Sequence, residues 1–398
     1  MVLLTVTGKD APGITAELTG ILAQKQVKIL DIGQAVIHRL LSLSILFEMD
    51  SEDQNKTVIK DLLFKATELG LKLEFQVLTD PSQTEHERME PLAYRYAITL
   101  IADQIPTQAL NAVTQTLANY HVNIDEIERL SESGFSCLEM MISAREEIDR
   151  RKLKKELLEI AHEQQIDIAL QAEGLYRRAK RLVVFDMDST LIQNEVIDEF
   201  ARERGVYDEI AELTHQAMAG KLNFDDSLRK RCEKLQGLTL KDVDRVFDRL
   251  IVTPGAHDLI RVLKKLGYKT ALISGGFSVV AERMKEKLSI DYSYANQLEF
   301  DRNGVATGKV IPPVINAQRK ADLLDVISQQ ERIHLDQVIA IGDGANDILM
   351  LEKAGLGIAF NAKPVVRERA DLAINQKNLK SVLYLLGISG RDLNEILS

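Results

Sequence analysis

The stretch Arg181-Leu-Val-Val-Phe-Asp-Met-Asp-Ser-Thr-Leu191 constrains the fold more than any other part of the chain. Leu182 to Phe185 has the length and β-branched content of a buried parallel strand, and it stops abruptly at two carboxylates, Asp186 and Asp188. In open α/β sheets reactive groups sit just beyond the carboxyl ends of such strands. An isolated Asp-x-Asp equally suits a turn and a helix cap, so the rest of the chain has to decide between the two.

Beyond Asp188 the pattern turns helical. Glu195 to Arg204, Asp208 to Gly220, Phe224 to Leu235 and Leu240 to Leu250 carry apolar residues at helical spacing, with Gly205, Gly220 and Gly237 as stops and Thr239 as an N-cap. An all-helical insert directly after a catalytic-looking strand end suits a cap over a pocket. Alternation of helix and strand then resumes: helix Ala256 to Leu266, strand Lys269 to Ile273, a turn at Ser274-Gly-Gly276, and a helix from about Ser278 to Lys287. A hydroxyl and two glycines before a helix could cradle a phosphate with backbone amides. Tyr292 to Leu298 and Gly308 to Ile311 read as strands on either side of the hairpin turn Asp301-Arg-Asn-Gly304. Lys320 starts a helix over Ala321 to Ser328. Gln337 to Ile341 is another buried strand, ending in Gly342-Asp-Gly-Ala-Asn-Asp347, and Leu356 to Ala359 and Leu372 to Ile374 follow as strands before a last helix around Val382 to Leu386.

Four sites at strand ends or helix starts therefore occur in order: Asp186 with Asp188, Ser274, Lys320, and Asp343 with Asp347. This set resembles the haloacid dehalogenase superfamily of phosphohydrolases, with Asp186-Met-Asp-Ser-Thr190 as its Asp-x-Asp-x-Thr motif and Gly342-Asp-Gly-Ala-Asn-Asp347 as its acidic loop. The resemblance implies a Rossmann-like parallel-sheet core over 180–398 with a helical cap at about 192–253. It also implies Asp186 as nucleophile and Asp188 as general acid and then base. Mg2+ would be held by Asp186, the backbone carbonyl of Asp188 and Asp343, while Ser274, Gly275 and Lys320 hold the phosphoryl oxygens and Asp347 and Asn346 support the loop.

The residue chemistry is consistent. A phosphate monoester dianion repels a carboxylate nucleophile unless a metal and cationic donors neutralise it, and hard oxygen ligands suit Mg2+. Within the superfamily, Asp186 to Glu195, Ser274 to Phe277 and the acidic loop are similar to the phosphoserine phosphatases over roughly 180–390. That similarity adds Glu195, Phe224, Arg231 and Asn346 as substrate-binding residues. Glu195 can pair with an ammonium, Arg231 can grip a carboxylate bidentately, and Phe224 can close the pocket. The implied substrate is O-phospho-L-serine, hydrolysed to serine as the last step of serine biosynthesis. Another small phosphomonoester, or an amino-acid-sensing protein with an inactive phosphatase half, remains an open alternative at this point.

At 398 residues the chain is too long for one average domain, and residues ahead of 180 account for the surplus. Residues 2–7 read as a strand, Ile14 to Gln24 as a helix, Val27 to Gln34 and His38 to Met49 as strands, Val58 to Leu69 as a helix and Lys72 to Leu78 as a strand. This β-α-β-β-α-β order is a ferredoxin-like α+β unit over 1–82. After a polar linker at Thr79 to Pro91 the order repeats over 92–173. Tyr94 to Ala102, Asn123 to Leu130, Phe135 to Ala144 and Ile166 to Ala172 read as strands, with helices at Thr107 to Tyr120 and Arg150 to Gln164. Leu18 aligns with Val113, Leu22 with Leu117, Val27 with Val122, Ile29 with Ile124 and Ile32 with Ile127, all read as core positions. At Gly8-Lys-Asp-Ala-Pro-Gly-Ile14 the first copy resembles the ACT domain family of regulatory modules, which implies an effector site near Asp10 and Gly13 for serine or another amino acid, and a homodimer. A turn with a helix cap explains the same residues without a ligand. The second copy lacks both glycines. The basic stretch Gly174 to Lys180 reads as a solvated boundary.

A net charge of -10 and a pI near 5.4 argue against nucleic acid or an acidic membrane as partner. Two distant cysteines, Cys137 and Cys232, point to packing roles in a reducing compartment. No signal-like or membrane-length apolar segment occurs, so a cytoplasmic protein is expected.

Overall fold

The computed structural model describes residues 1–48, 52–78, 94–131, 135–177, 179–218 and 222–397. The chain divides into two compact units, Met1–Pro91 and Leu92–Ser398. The linker expected at Thr79 to Pro91 lies outside the described residues.

In the first unit, β1 (Val2–Lys9), β2 (Lys28–Ile37), β3 (Leu40–Glu48) and β4 (Lys72–Val77) form an antiparallel sheet of order β2-β3-β1-β4. Alternate residues Leu41, Leu43, Ile45 and Phe47 of β3 and Val2, Leu4 and Val6 of β1 are buried. Period-two alternation therefore puts one face of the sheet against the helices Ile14–Gln24 and Glu52–Leu69, whose Leu18, Leu22, Val58 and Leu62 complete the core. The hairpin is longer than the sequence suggested. Pairing continues to Ile37 opposite Leu40, and only His38 (φ 47) and Arg39 (φ 66) turn the chain. Both residues are left-handed, as a two-residue turn between twisted strands requires.

The second unit opens with the same motif. β5 (Tyr94–Ala102), β6 (Asn123–Arg129), β7 (Ser136–Ala144) and β8 (Asp167–Ala172) have the order β6-β7-β5-β8, with helices at Thr107–Asn119 and Arg150–Gln164. Of the aligned pairs, Leu18 with Val113 and Leu22 with Leu117 are buried in both copies. Ile32 and Ile127, in contrast, are 47% and 52% exposed, because β2 and β6 lie at the sheet edges with neither face covered, nearly all their residues being exposed. Ile29 is exposed for the same reason.

A seven-stranded sheet follows, in the order β12-β11-β10-β9-β13-β14-β15. Its strands are β9 (Leu182–Phe185), β10 (Lys269–Phe277), β11 (Tyr292–Phe300), β12 (Ala306–Ile311), β13 (Val338–Gly342), β14 (Leu356–Phe360) and β15 (Leu372–Ile374). β9 is central and fully buried, paired in parallel with β10 on one side and β13 on the other. The chain builds outward from β9 through β10 and β11, then returns to its other side at β13. That reversal leaves a crevice at the carboxyl end of β9, where doubly wound sheets place ligands. The helices Val196–Arg204, Tyr207–Met218, Phe224–Lys234 and Leu240–Arg249 rise between β9 and β10, and an antiparallel bridge from Ile192 to Val252 ties the two ends of this insert together.

Several expected boundaries shift. The helix carrying Lys320 begins earlier, at Ala317, because Asn316 caps it by accepting a hydrogen bond from the Arg319 N–H at 3.0 Å. A further helix, Gly390–Leu397, follows the expected last one. Of the stretch expected to be solvated, Gly174, Leu175 and Tyr176 are exposed, but Arg177 and Lys180 are buried. Arg177 is buried and ion-paired with Glu139 and Glu173, and the buried Lys180 Nζ donates to the Asp336 carbonyl at 2.6 Å. Burial pushes that ammonium down to about 8. Arg178 lies outside the described residues.

The second ferredoxin-like module packs on the parallel sheet. Both carboxylate oxygens of buried Asp167 accept from the Asn375 N–H at 2.9 Å, and the carboxylate also accepts from Asn375 Nδ2 at 2.8 Å and the Gln376 N–H at 3.2 Å. Leu130, Cys137 and Ile101 belong to the same core cluster as Phe185 and Tyr384. Cys137 and Cys232 are both buried, and burial lifts each thiol to about 12, which fits packing residues. Among the described residues no helix is long and apolar enough to cross a membrane.

Candidate active site

A cavity of about 540 Å3 opens at the carboxyl end of β9 beneath the helical insert. Asp186, directly after the strand, is held by its backbone N–H donating to the Ile341 carbonyl of β13 at 2.9 Å. The next residues form a tight turn in which Asp188 is extended and Ser189 is left-handed (φ 55). That turn brings the Asp188 carboxylate back over the strand end, where Oδ1 accepts from the Val196 N–H at 2.9 Å and Oδ2 lies 3.4 Å from Ser274 Oγ. Both acids of the Asp-x-Asp motif thus face one site.

Ser274 to Gly276 does not form the turn at a helix start that the sequence suggested. β10 stays extended as far as Phe277, with a register shift between Ile273 and Phe277 against β11. Asn296 of β11 stabilises this course by donating from Nδ2 to the Gly275 carbonyl at 2.8 Å and accepting from the Ile315 N–H at 2.7 Å. Ser274 Oγ accepts from the Gly276 N–H at 2.9 Å, so it is held within its own loop. Glycine at 276 is a steric requirement, since a Cβ there would stand 2.6 Å from Asp188 Oδ2.

Lys320 is fully buried behind the cavity wall. Its Nζ lies 2.6 Å from Asp186 Oδ1 and 2.7 Å from Asp347 Oδ1. Asp347 is held in turn by the Gly344 N–H at 3.0 Å. Burial opposes the charge on Lys320, but attraction by Asp186 and Asp347 outweighs it and raises the ammonium above the ordinary lysine range. Burial, helped by Asp347, lifts Asp186 to about 7 despite Lys320. Burial also raises Asp188, reinforced by Glu195 and Asp186, and lifts Asp343 to about 8 with repulsion from Asp186 and Asp347.

These carboxylates have too little positive charge around them. Asp186, Asp343 and Asp347 each bring an oxygen within 4.8 Å of the others, and a hard divalent cation such as Mg2+ fits that donor set. Both Asp347 oxygens are engaged, Oδ1 by Lys320 and Oδ2 by the Gly344 N–H, whereas Asp186 meets Lys320 through Oδ1 alone, so Asp186 and Asp343 offer the freer oxygens to a cation.

The rest of the expected set converges on the same space. Glu195, Phe224, Arg231, Gly275 and Asn346 line the cavity, while Ser274 and Lys320 lie just behind it. Ser189 Oγ donates to Glu195 Oε1 at 2.8 Å. Burial raises the Glu195 carboxyl and lowers the Arg231 guanidinium. Two charged residues escaped the sequence reading: Asp198, one helical turn beyond Glu195, and Lys363. Lys363 stands three residues past β14, so its position just beyond an apolar strand was the available signal. Asp10 and Gly13 are in the other unit: Gly13 has φ 96 and precedes the helix from Ile14, and the Asp10 N–H donates to the Arg39 carbonyl at 2.8 Å.

Comparison with known proteins follows this division of the chain. ACT domain models match residues 1–76 and 95–171, and a haloacid dehalogenase-like hydrolase model matches 180–355. A phosphoserine phosphatase of Streptomyces coelicolor is 39% identical over 392 residues, which is 98% of this chain and 93% of that protein. The chain belongs to the phosphoserine phosphatase family. Another of the family, phosphoserine phosphatase SerB2 of Mycobacterium tuberculosis, is 37% identical over 393 residues, again 98% of this chain and 93% of that one. Among solved structures, a haloacid dehalogenase family hydrolase from Salmonella enterica superposes with a TM-score of 0.66 at 32% identity, covering 73% of this chain and 98% of its own. A probable phosphoserine phosphatase from Vibrio cholerae gives 0.59 at 31%, covering 76% and 89%.

Proposed function

We propose that this phosphoserine phosphatase family member hydrolyses O-phospho-L-serine to L-serine and phosphate through a phosphorylated Asp186, as the last step of serine biosynthesis. The observation that carries this reading is the convergence of Asp186, Asp188 and the Lys320–Asp347 pair at one end of a cavity that also holds Glu195 and Arg231. Asp186 attacks phosphorus and the seryl oxygen departs with the proton of Asp188, whose raised carboxyl suits an acid. Asp188, now a carboxylate, takes a proton from the water that attacks the aspartyl-phosphate, which returns Asp186 and releases phosphate. Lys320, Ser274 and the Gly275 amide hold the phosphoryl oxygens. Glu195 receives the substrate ammonium and Arg231 its carboxylate, while Phe224 closes over them and Asn346 supports the loop. Mg2+, held by Asp186, Asp343 and the Asp188 carbonyl, supplies charge neutralisation at the phosphoryl group.

The domain limits that go with this reading are 1–82 and 92–173 for two ACT-like modules and 180–398 for the phosphatase, with its cap at about 192–253. The first module binds an amino-acid effector, serine in the first instance, near Asp10 and Gly13, and the protein works as a cytoplasmic homodimer. Purified protein with Mg2+ should release phosphate from phosphoserine ahead of a panel of other phosphomonoesters. Asp186→Asn should cut turnover by roughly ten-thousand-fold; unchanged turnover would remove Asp186 as nucleophile. Calorimetry with serine tests the effector site, and the absence of heat and of any change in activity at saturating serine would remove that part.

A further inference from the structure

The charges on the cavity wall are unbalanced in a way that concerns the substrate. Asp186, Asp188, Glu195, Asp198 and Asp343 face the cavity, whereas its lining cations are Arg231 and Lys363. The proposed substrate carries a phosphate dianion, a carboxylate and one ammonium, so apart from the Mg2+ that Asp186 and Asp343 would hold it meets a wall rich in its own sign. Lys320 cannot draw it in from solution, being buried with its Nζ already between two carboxylates. Arg231 is half-buried, and Asp198 and Glu195 already act on its charge. Lys363 differs from both. It is exposed, its ammonium makes no ion pair with a described residue, and its backbone N–H reaches the Asp343 carbonyl at 3.4 Å. Its charge also favours the ionised form of Glu195, which lines the same cavity.

We infer that Lys363 is the capture cation of this enzyme: it draws the dianionic substrate to the cavity rim by charge and favours phosphomonoesters that carry an additional carboxylate. This inference rests on the phosphoserine reading above. An exposed ammonium acts over about 8 to 10 Å before salt screens it. It should therefore lower KM without changing the chemical step, and its effect should fade as ionic strength rises.

Steady-state kinetics on the full-length chain with Mg2+ tests this, using phosphoserine and phosphoethanolamine, which lacks the carboxylate, each at low and physiological ionic strength. Lys363→Met should raise KM for phosphoserine ~10-fold while kcat stays within about two-fold. Its KM should respond less to salt than that of the wild type, and its penalty should be smaller with phosphoethanolamine. Lys363→Arg should retain the wild-type KM and salt response. An active wild type whose Lys363→Met variant keeps both KM and salt response overturns the inference. So does a fall in kcat at unchanged KM, which would mean that Lys363 acts on the chemistry. A wild type inactive on phosphoserine is a separate result: it removes the assigned reaction, and the capture role with it.

Discussion

Lys320 Nζ lies 2.6 Å from Asp186 Oδ1, a buried contact across 134 residues of chain. The same Nζ reaches Asp347 at 2.7 Å, so one cation fastens β9, the helix from Ala317 and the acidic loop together. Its removal would leave two buried carboxylates without their counter-charge, which costs ~3–5 kcal/mol. Lys320→Met should unfold at markedly lower denaturant than the wild type and lose activity. Equal stability of the two proteins in a urea titration would contradict the role assigned to this contact.

The acidic cluster also makes stability depend on pH. Asp343 is lifted to about 8 in the folded protein, chiefly by burial, against an ordinary carboxylate value near 4. The native state then holds this proton more tightly than the unfolded chain. The resulting stabilisation is complete below about pH 4 and is lost as pH climbs towards 8. Mg2+ needs the ionised carboxylate and should reverse the loss, so its effect on Tm should be larger at pH 8 than at pH 6. Asp343→Asn should flatten both trends. A thermal shift by Mg2+ that is independent of pH in the wild type would count against Asp343 as a ligand.

Gly276 passes too close to Asp188 for any side chain. An added Cβ would meet Asp188 Oδ2 at 2.6 Å and Ser274 Oγ at 3.1 Å. On the proton-transfer role proposed for Asp188, Gly276→Ala should displace its carboxylate and lower kcat by ~100-fold, while the protein stays folded. Circular dichroism and turnover measured on one preparation separate the two effects. Unaltered kcat would show that Asp188 tolerates the shift.

Asp167 fastens the second ferredoxin-like module to the parallel sheet by accepting from Asn375 and Gln376. Asp167→Ala would leave those donors without their acceptor in a largely buried setting, at ~1–3 kcal/mol. Hydrogen exchange should quicken at residues 375–376 and along β8, with the catalytic loops unaffected. Uniform protection in the variant would mean that the shared apolar core around Leu130 and Cys137 suffices on its own.

The candidate groups were legible from short-range order: an apolar run broken by Asp186 and Asp188, a Ser-Gly-Gly, a lysine and an acidic loop in sequence. So was the twice-repeated β-α-β-β-α-β pattern, because alternation and helical periodicity are local consequences of which face each residue presents. Local pattern carries no information about a strand's neighbours. Ile32 and Ile127 read as core residues for that reason, and only the order of each sheet shows that they lie on edges. Ser274 and its glycines read as a turn because glycine breaks regular structure, yet β10 pairs with β11 on either side of them, at Ile273 and Phe277, and Asn296 holds the Gly275 carbonyl between. Arg177 and Lys180 read as solvated, but partners distant in sequence, Glu139 and the Asp336 carbonyl, allow their burial. Lys363 belongs to no motif and reaches the cavity only because β14 packs beside β13. Local pattern thus sets which reactive groups are present and on what kind of element each sits. Which groups meet, and how far each carboxyl moves from its ordinary value, the tertiary structure alone decided, since burial and opposing charge come from residues far along the chain.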